Sequence, residues 1–356
     1  VNSILLTGLV GSNPLAALAA FGLVRNCRHI EALRGEIRLG WQKKDGQWIA
    51  CVTVTETVTD EEFLELLSHG QEGRSQDDIY QMPSRSAVTE ARMEPARYME
   101  LSLEAKEMAF EGSRDLADFL MAISTDLVLG NKSKTKQSQL CMTAGRQTFL
   151  GLLQKLAESI DPLQRPTKKD SAAKTTKKTD KAMANLKKHF REALFGPWEY
   201  RTKQHALGWD PAAEQSHAYK AKAPTSTGSM GVLGAIWLAV EALPLFPTAV
   251  DRGRTQTANF TYKKRGAASS FNSRLQHNER FHRANSGDQY FCWPIWGPPI
   301  KLDELQSLLL NTPQLLENKN KKGRRRGIYV VYGSKKKALQ QGRSTLSPGE
   351  LICNFL

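Results

Sequence analysis

The sequence predicts an α+β fold, and three observations carry that reading. The N-terminal segment 3–10 is a short apolar run followed by an Asn-Pro helix start. A pair of alternating segments then brackets Asp45-Gly46, a strong two-residue turn signal. Further along, helical periodicity gives way to short β-rich runs near the C-terminus. At 356 residues with 40 % hydrophobic and 24 % charged residues, the chain is long enough to bury a sizeable core. No phosphate-binding loop, HExxH or GxSxG motif occurs, so no known catalytic fold is indicated.

Residues 3–10 read as a buried strand, and Leu15, Leu18, Phe21 and Leu23 give the following helix its apolar side. Segments 36–41 and 47–54 read as a hairpin, with Ile37, Leu39 and Trp41 alternating with Arg38 and Gly40. These elements make an N-terminal α/β unit over 1–57. Region 58–205 reads as mainly helical. Thr59 to Glu62 supplies a helix cap and first turn, 70–95 lacks a clear pattern, and 95–129 is helical. Met99, Leu103, Met108, Phe110, Leu116, Phe119 and Leu120 are its core candidates. A second helix is expected over 143–160, with Phe149, Leu152, Leu153 and Leu156 on one face.

Segment 161–185 is of low complexity and nearly free of large apolar residues, so it reads as a flexible basic loop leading into a helix over 182–194. Region 206–356 reads as an α+β part with basic patches. It holds an apolar helix over 231–243, strands near 257–263, 290–296 and 328–332, and a helix near 302–310. Trp237, Leu238, Leu243, Leu245, Phe246, Trp293 and Trp296 are assigned to packing.

Charge is sorted along the chain. Residues 57–128 carry sixteen Asp/Glu against six Lys/Arg, whereas 131–203 carry seventeen Lys/Arg against six Asp/Glu. Residues 252–283 carry eight Lys/Arg and one Glu, and the net charge is +14. Such sorting predicts a polyanionic partner, and the acidic block is expected to face protein or solvent.

The candidate contacts fall into groups. Lys132, Lys134 and Lys136 alternate with small polar residues, and on an extended strand they would form one phosphate-facing track. Lys168, Lys169, Lys174, Lys177 and Lys178 sit in the expected loop and suit non-specific backbone contact. Arg252, Arg254, Lys263, Lys264 and Arg265 bracket a short strand. Beside them, Asn272, Arg274, Gln276 and Asn278 combine cations with amides able to read base edges. Arg324 and Arg325 belong to a last basic cluster.

Catalysis has weaker support. His277 and His282 do not share a helical face and no Asp or Cys cluster supports them, yet they leave an RNA-processing or nuclease activity as an alternative. A stand-alone DNA-binding regulator is a second alternative. The five cysteines are scattered and form no CxxC pair, which argues against a zinc ribbon and for a reducing, cytoplasmic setting. The apolar run 231–246 contains Glu241 and Pro244 and is too short to span a bilayer, so no membrane association is expected.

Three stretches together resemble a known family. They are the N-terminal strand with the segment 13–23 and Leu39 to Trp41; the segment from Ser138 to Gln147; and Gly208 to Pro211 with Ala218, Tyr219 and the run from Leu238 to Pro247. This combination, over residues 1–260, resembles the large subunits of type I CRISPR surveillance complexes (Cascade), closest to the I-U and I-G variants. The resemblance implies a non-catalytic, cofactor-free subunit that binds crRNA and the target double-stranded DNA. It also implies recognition of the PAM duplex, help in opening it, contact with the backbone and guide-capping subunits, and recruitment of a helicase-nuclease.

Overall fold

The computed structural model describes residues 2–55, 57–143, 148–163, 172–203, 207–213, 230–251, 253–264, 271–272, 287–317, 327–339 and 343–356. For residues 2, 131, 172–175, 251, 262–264, 271–272, 287 and 317 it describes the backbone alone. The fold is α+β.

Strand β1 (Asn2–Val10) leads into helix α1 (Pro14–Asn26), whose N-cap Asn13 accepts hydrogen bonds from the amides of Leu15 and Ala16. Strands β2 (Arg38–Lys44) and β3 (Gln47–Val54) form the expected hairpin. Asp45 and Gly46 both take positive φ there, as a tight hairpin turn requires. β1 pairs with β3, giving an antiparallel sheet in the order β1-β3-β2. Every residue of α1 is buried, because the sheet covers one side and a later apolar helix the other.

Helix α2 (Asp60–His69) starts with a capping box between Thr59 and Glu62. The stretch 70–95, expected to be irregular, contains a further helix, α3 (Asp78–Ser86), with Ile79, Tyr80 and Met82 buried. Pro83 inside that helix masks its period in the sequence. The expected helix over 95–129 divides into α4 (Pro95–Phe110), α5 (Asp115–Ile123) and strand β4 (Ser124–Leu129), which pairs with β5 (Thr135–Gln137). Leu116, Phe119 and Leu120 are core residues and Met108 is partly buried, but Met99, Leu103 and Phe110 point outward. α4 packs through Leu101 and Ala105 instead.

Helix α6 (Phe149–Ile160) buries Phe149, Leu153 and Leu156 and leaves Leu152 partly covered. Helix α7 (Ala172–Phe195) begins ten residues before its expected start at 182, so the second half of the segment read as a loop is helical. Tertiary packing at its C-terminal end anchors a helix whose polar N-terminal half gives little apolar signal. Residues 164–171 lie outside the described residues.

After the short pair β6 (Thr202–Lys203) and β7 (Met230–Gly231), helix α8 (Leu233–Glu241) is buried along its whole length. β8 (Thr248–Asp251) and β9 (Arg254–Thr257) form a hairpin. The large antiparallel sheet runs β11 (Phe271–Asn272), β10 (Phe260–Lys264), β12 (Gly287–Trp296), β13 (Ile328–Ala338). β13 also pairs with β14 (Ser344–Leu346) and β15 (Glu350–Asn354). Helix α9 (Leu302–Glu317) packs against β12.

The two main sheets meet around aromatic side chains. Phe21 of α1 lies 6.2 to 6.4 Å, centroid to centroid, from Trp296, Trp41 and Phe246. The indoles of Trp293 and Trp296 donate to the carbonyls of Gly11 and Leu39. Their packing role is therefore met, and each bridges its strand to the N-terminal sheet.

Candidate nucleic-acid interface

Helix α7 has three chemically distinct faces. Leu186, Phe190, Ala193 and Leu194 are buried at spacings of four, three and one, and they seat the helix on β1 and α8. Thr7 of β1 donates to the carbonyl of Phe195, and the Trp198 indole donates to that of Ala193. These bonds fix the end of the helix.

The second face carries Lys187 and Arg191, which pair with Glu61 and Glu65 of α2. The Lys187 Nζ lies 3.2 Å from Glu61 Oε1. Hydrogen bonds from Arg191 and Lys187 lower the Glu61 carboxyl below its ordinary range. Lys134 reaches Glu94 at 3.4 Å. Part of the charge sorting along the sequence is thus internal: the basic block binds the acidic block that precedes it.

The third face carries Lys177, Lys181 and Lys188, all exposed. At 3.6 residues per turn they fall within roughly a 40° sector opposite the buried face and extend over about 16 Å of helix axis. No ion pair neutralises them among the described residues. Lys178 lies off this sector and is half-buried, and of Lys174 only the backbone is described. The helical spacing of 177, 181 and 188 was the available signal, obscured by reading 161–185 as a loop.

The track at 132–136 is not extended throughout. Lys132 and Ser133 take left-handed backbone conformations in a tight turn. Only Lys134 and Lys136 flank a strand residue, Thr135, whose buried hydroxyl bonds Ser124 and the amide of Met93. Lys132 therefore does not continue their line.

Arg254 is half-buried in β9, where its backbone lies opposite that of Asp251 in the hairpin register. Lys263, Lys264 and Asn272 are placed in β10 and β11 by their backbones, Lys263 opposite Phe271. Their side chains lie outside the described residues, as do Lys168, Lys169, Arg252, Arg265, Arg274, Gln276, Asn278, His277, His282, Arg324 and Arg325.

The densest ionisable cluster lies elsewhere and was not anticipated. Glu241, at the end of α8, is fully buried. Its Oε2 accepts from Arg25 Nη1 at 3.0 Å, and its Oε1 accepts from Arg74 Nη2 and the Tyr80 hydroxyl, each at 2.6 Å. Arg25 also reaches Asp115 at 2.9 Å, Arg74 reaches Asp77 at 2.9 Å, and Arg28 pairs with Asp115. Burial alone would raise the Glu241 carboxyl, but Arg74 and Arg25 outweigh it and hold it at about 2.

A cavity of about 160 Å³ beside this cluster is lined by Arg25, His29, Arg74, Asp77, Met108 and Asp115. Its lining carries two arginines against three aspartates, Asp77, Asp78 and Asp115, so its charge does not favour an anion. The cluster joins α1, α3, α5 and α8 and acts as a structural clamp. No group of three or more metal-ligating side chains occurs among the described residues, and no helix among them is long and apolar enough to cross a membrane.

No family model matches the chain, and neither the curated proteins nor the solved structures contain a significant match to it.

Proposed function

We propose that the chain is a non-catalytic nucleic-acid-binding protein that lays the outer face of α7 along a phosphate backbone. The observation that carries this reading is the aligned, unneutralised trio Lys177, Lys181 and Lys188 on a helix whose other two faces are committed to packing and to α2. A helix can satisfy cations internally, as Lys187 and Arg191 do. A stripe left without partners beside that pairing suits an external polyanion.

We further propose the setting of a large subunit in a crRNA-guided DNA surveillance complex. There the α7 stripe would hold duplex or guide backbone, while the region of β10 and β11, around Asn272, would lie near the bases to be read. Guide pairing would read the target, and this chain would read a short duplex flank and help recruit the helicase-nuclease.

The direct test is the salt dependence of duplex binding by the full chain and by Lys177→Gln/Lys181→Gln/Lys188→Gln. Each lost phosphate contact removes about 0.9 from the slope of log affinity against log salt, so the triple variant should lose up to ~2.7. Equal slopes and equal affinities for the two proteins would remove α7 from the interface. Co-purification with crRNA and repeated backbone subunits from the native operon tests the wider setting.

A further inference from the structure

Helix α4 has a second apolar face that no described residue covers. Leu101 and Ala105 pack inward. Met99, Leu103 and Phe110 are spaced four and seven apart on the opposite side, and are 62 %, 56 % and 82 % exposed. Lys106 lies in the same stripe with its Nζ 5.8 Å from the centre of the Phe110 ring, so its aliphatic stem continues the apolar surface. The stripe runs for about 16 Å along the helix, three turns. One side of it is acidic: Glu100, Glu107 and Glu111 are all exposed. Glu100 is paired with Arg97, whereas Glu107 and Glu111 have no ion-pair partner among the described residues.

We infer that this outer face of α4 is a docking surface for an amphipathic helix of another protein, one with an apolar stripe flanked by lysine or arginine. Three aligned large apolar residues with a single acidic border match the anchor spacing of helix-on-helix recognition. The border selects the partner's charge. An antiparallel second copy of this chain fits poorly, because pairing the stripe with itself in that direction sets acidic border beside acidic border. The inference stands apart from the role of α7, which lies on a different helix and uses the opposite charge.

The test uses two model peptides of about four turns with identical leucine stripes, one with lysine and one with glutamate on the polar face. Their binding to the full chain is followed by fluorescence anisotropy. With a net charge of +14, non-specific attraction would favour the glutamate peptide, so preference for the lysine peptide reports the local border. The expected result is that the lysine peptide binds at least tenfold tighter than the glutamate peptide. Leu103→Asp/Phe110→Asp should then lose at least tenfold for the lysine peptide, although it adds negative charge.

An unchanged thermal midpoint shows that this variant folds. Leu103→Ala, milder, should lose severalfold and serves if the double variant does not fold. Equal binding by wild type and variants, preference for the glutamate peptide, or a concentration-dependent dimer abolished by Leu103→Asp would each overturn the inference.

Discussion

Two helix pairs in this molecule join cations to glutamates in opposite surroundings. At the α1–α8 interface, Arg25 and Glu241 meet with no access to water, and Arg74 and Tyr80 complete the carboxylate. At the α2–α7 interface, Lys187 and Arg191 meet Glu61 and Glu65 in solvent. The first arrangement tolerates no unpaired member, because each ion has given up its hydration. In the second, water substitutes for any lost partner. Charge density along a sequence therefore says little about energetic weight; the packing around each charge decides it.

The largest expected effect breaks the buried side of this comparison. Glu241→Ala takes the buried carboxylate from two guanidinium groups, leaving Arg25 with Asp115 and Arg74 with Asp77, and removes the acceptor of the Tyr80 hydroxyl; it should cost about 3–5 kcal/mol in a denaturant titration. A loss below about 1 kcal/mol would mean that water enters the cavity and replaces the carboxylate. The acid limb carries the same information. Glu241 titrates at about 2 in the folded protein, below its ordinary value of 4.5. Its contribution is therefore fully present above pH 4.5 and is lost as pH falls towards 2. Glu241→Gln should flatten stability against pH in that window.

Next in size is the approach of the two helices themselves. At Gly22 a Cβ would fall on the backbone carbonyl of Leu238 in α8. Backbone cannot yield as a side-chain tip does, so Gly22→Ala should cost about 1–3 kcal/mol or more by overpacking. A neutral result would show that α1 and α8 can slide apart without opening the charge cluster.

A smaller effect should appear nearer neutrality. Burial, with Arg74 adding to it, lowers the His29 imidazole from 6.5 to about 3. A folded value below the unfolded one means that the histidine's contribution is complete above pH 6.5 and declines as pH falls towards 3. His29→Gln should reduce the slope of stability against pH between 6.5 and 4.5 and leave the plateau above pH 7 unchanged. An identical slope would show that His29 is solvated in the folded state.

The contrast also explains what the sequence could reveal. Local signals read well: Asn13-Pro14, Asp45-Gly46 and Thr59/Glu62 each placed an element start or turn, because cap and turn chemistry acts within a few residues. Buried aromatics such as Trp237 and Trp296 were equally legible from their apolar surroundings. Glu241 was read only as an interruption of an apolar run, since its partners Arg25, Arg74 and Tyr80 are 161 to 216 residues away. The outward face of α4 failed for a different reason. Met99, Leu103 and Phe110 keep helical period, and period alone does not say which of two apolar faces packs inward. In α7, the lysine spacing 177, 181, 188 was present, but composition without large apolar residues suggested a loop.

The smallest expected effect lies on the exposed side and sharpens the comparison most. Lys187→Gln and Arg191→Gln remove the α2–α7 ion pairs, yet the buried face of Leu186, Phe190, Ala193 and Leu194 remains to hold α7. Thermal midpoints measured at moderate salt should match the wild type within error, for the single variants and for the pair. These same variants also serve as a control for the proposed interface. They remove as much positive charge per residue as the variants of Lys177, Lys181 and Lys188, but from a face already neutralised by Glu61 and Glu65. If α7 binds a phosphate backbone by its outer stripe, Lys187→Gln/Arg191→Gln should leave the salt slope of duplex binding nearly unchanged. A fall in slope equal to that of the stripe variants would show that only total charge matters, and that the division of α7 into an inner-facing and an outer-facing set of cations has no functional meaning.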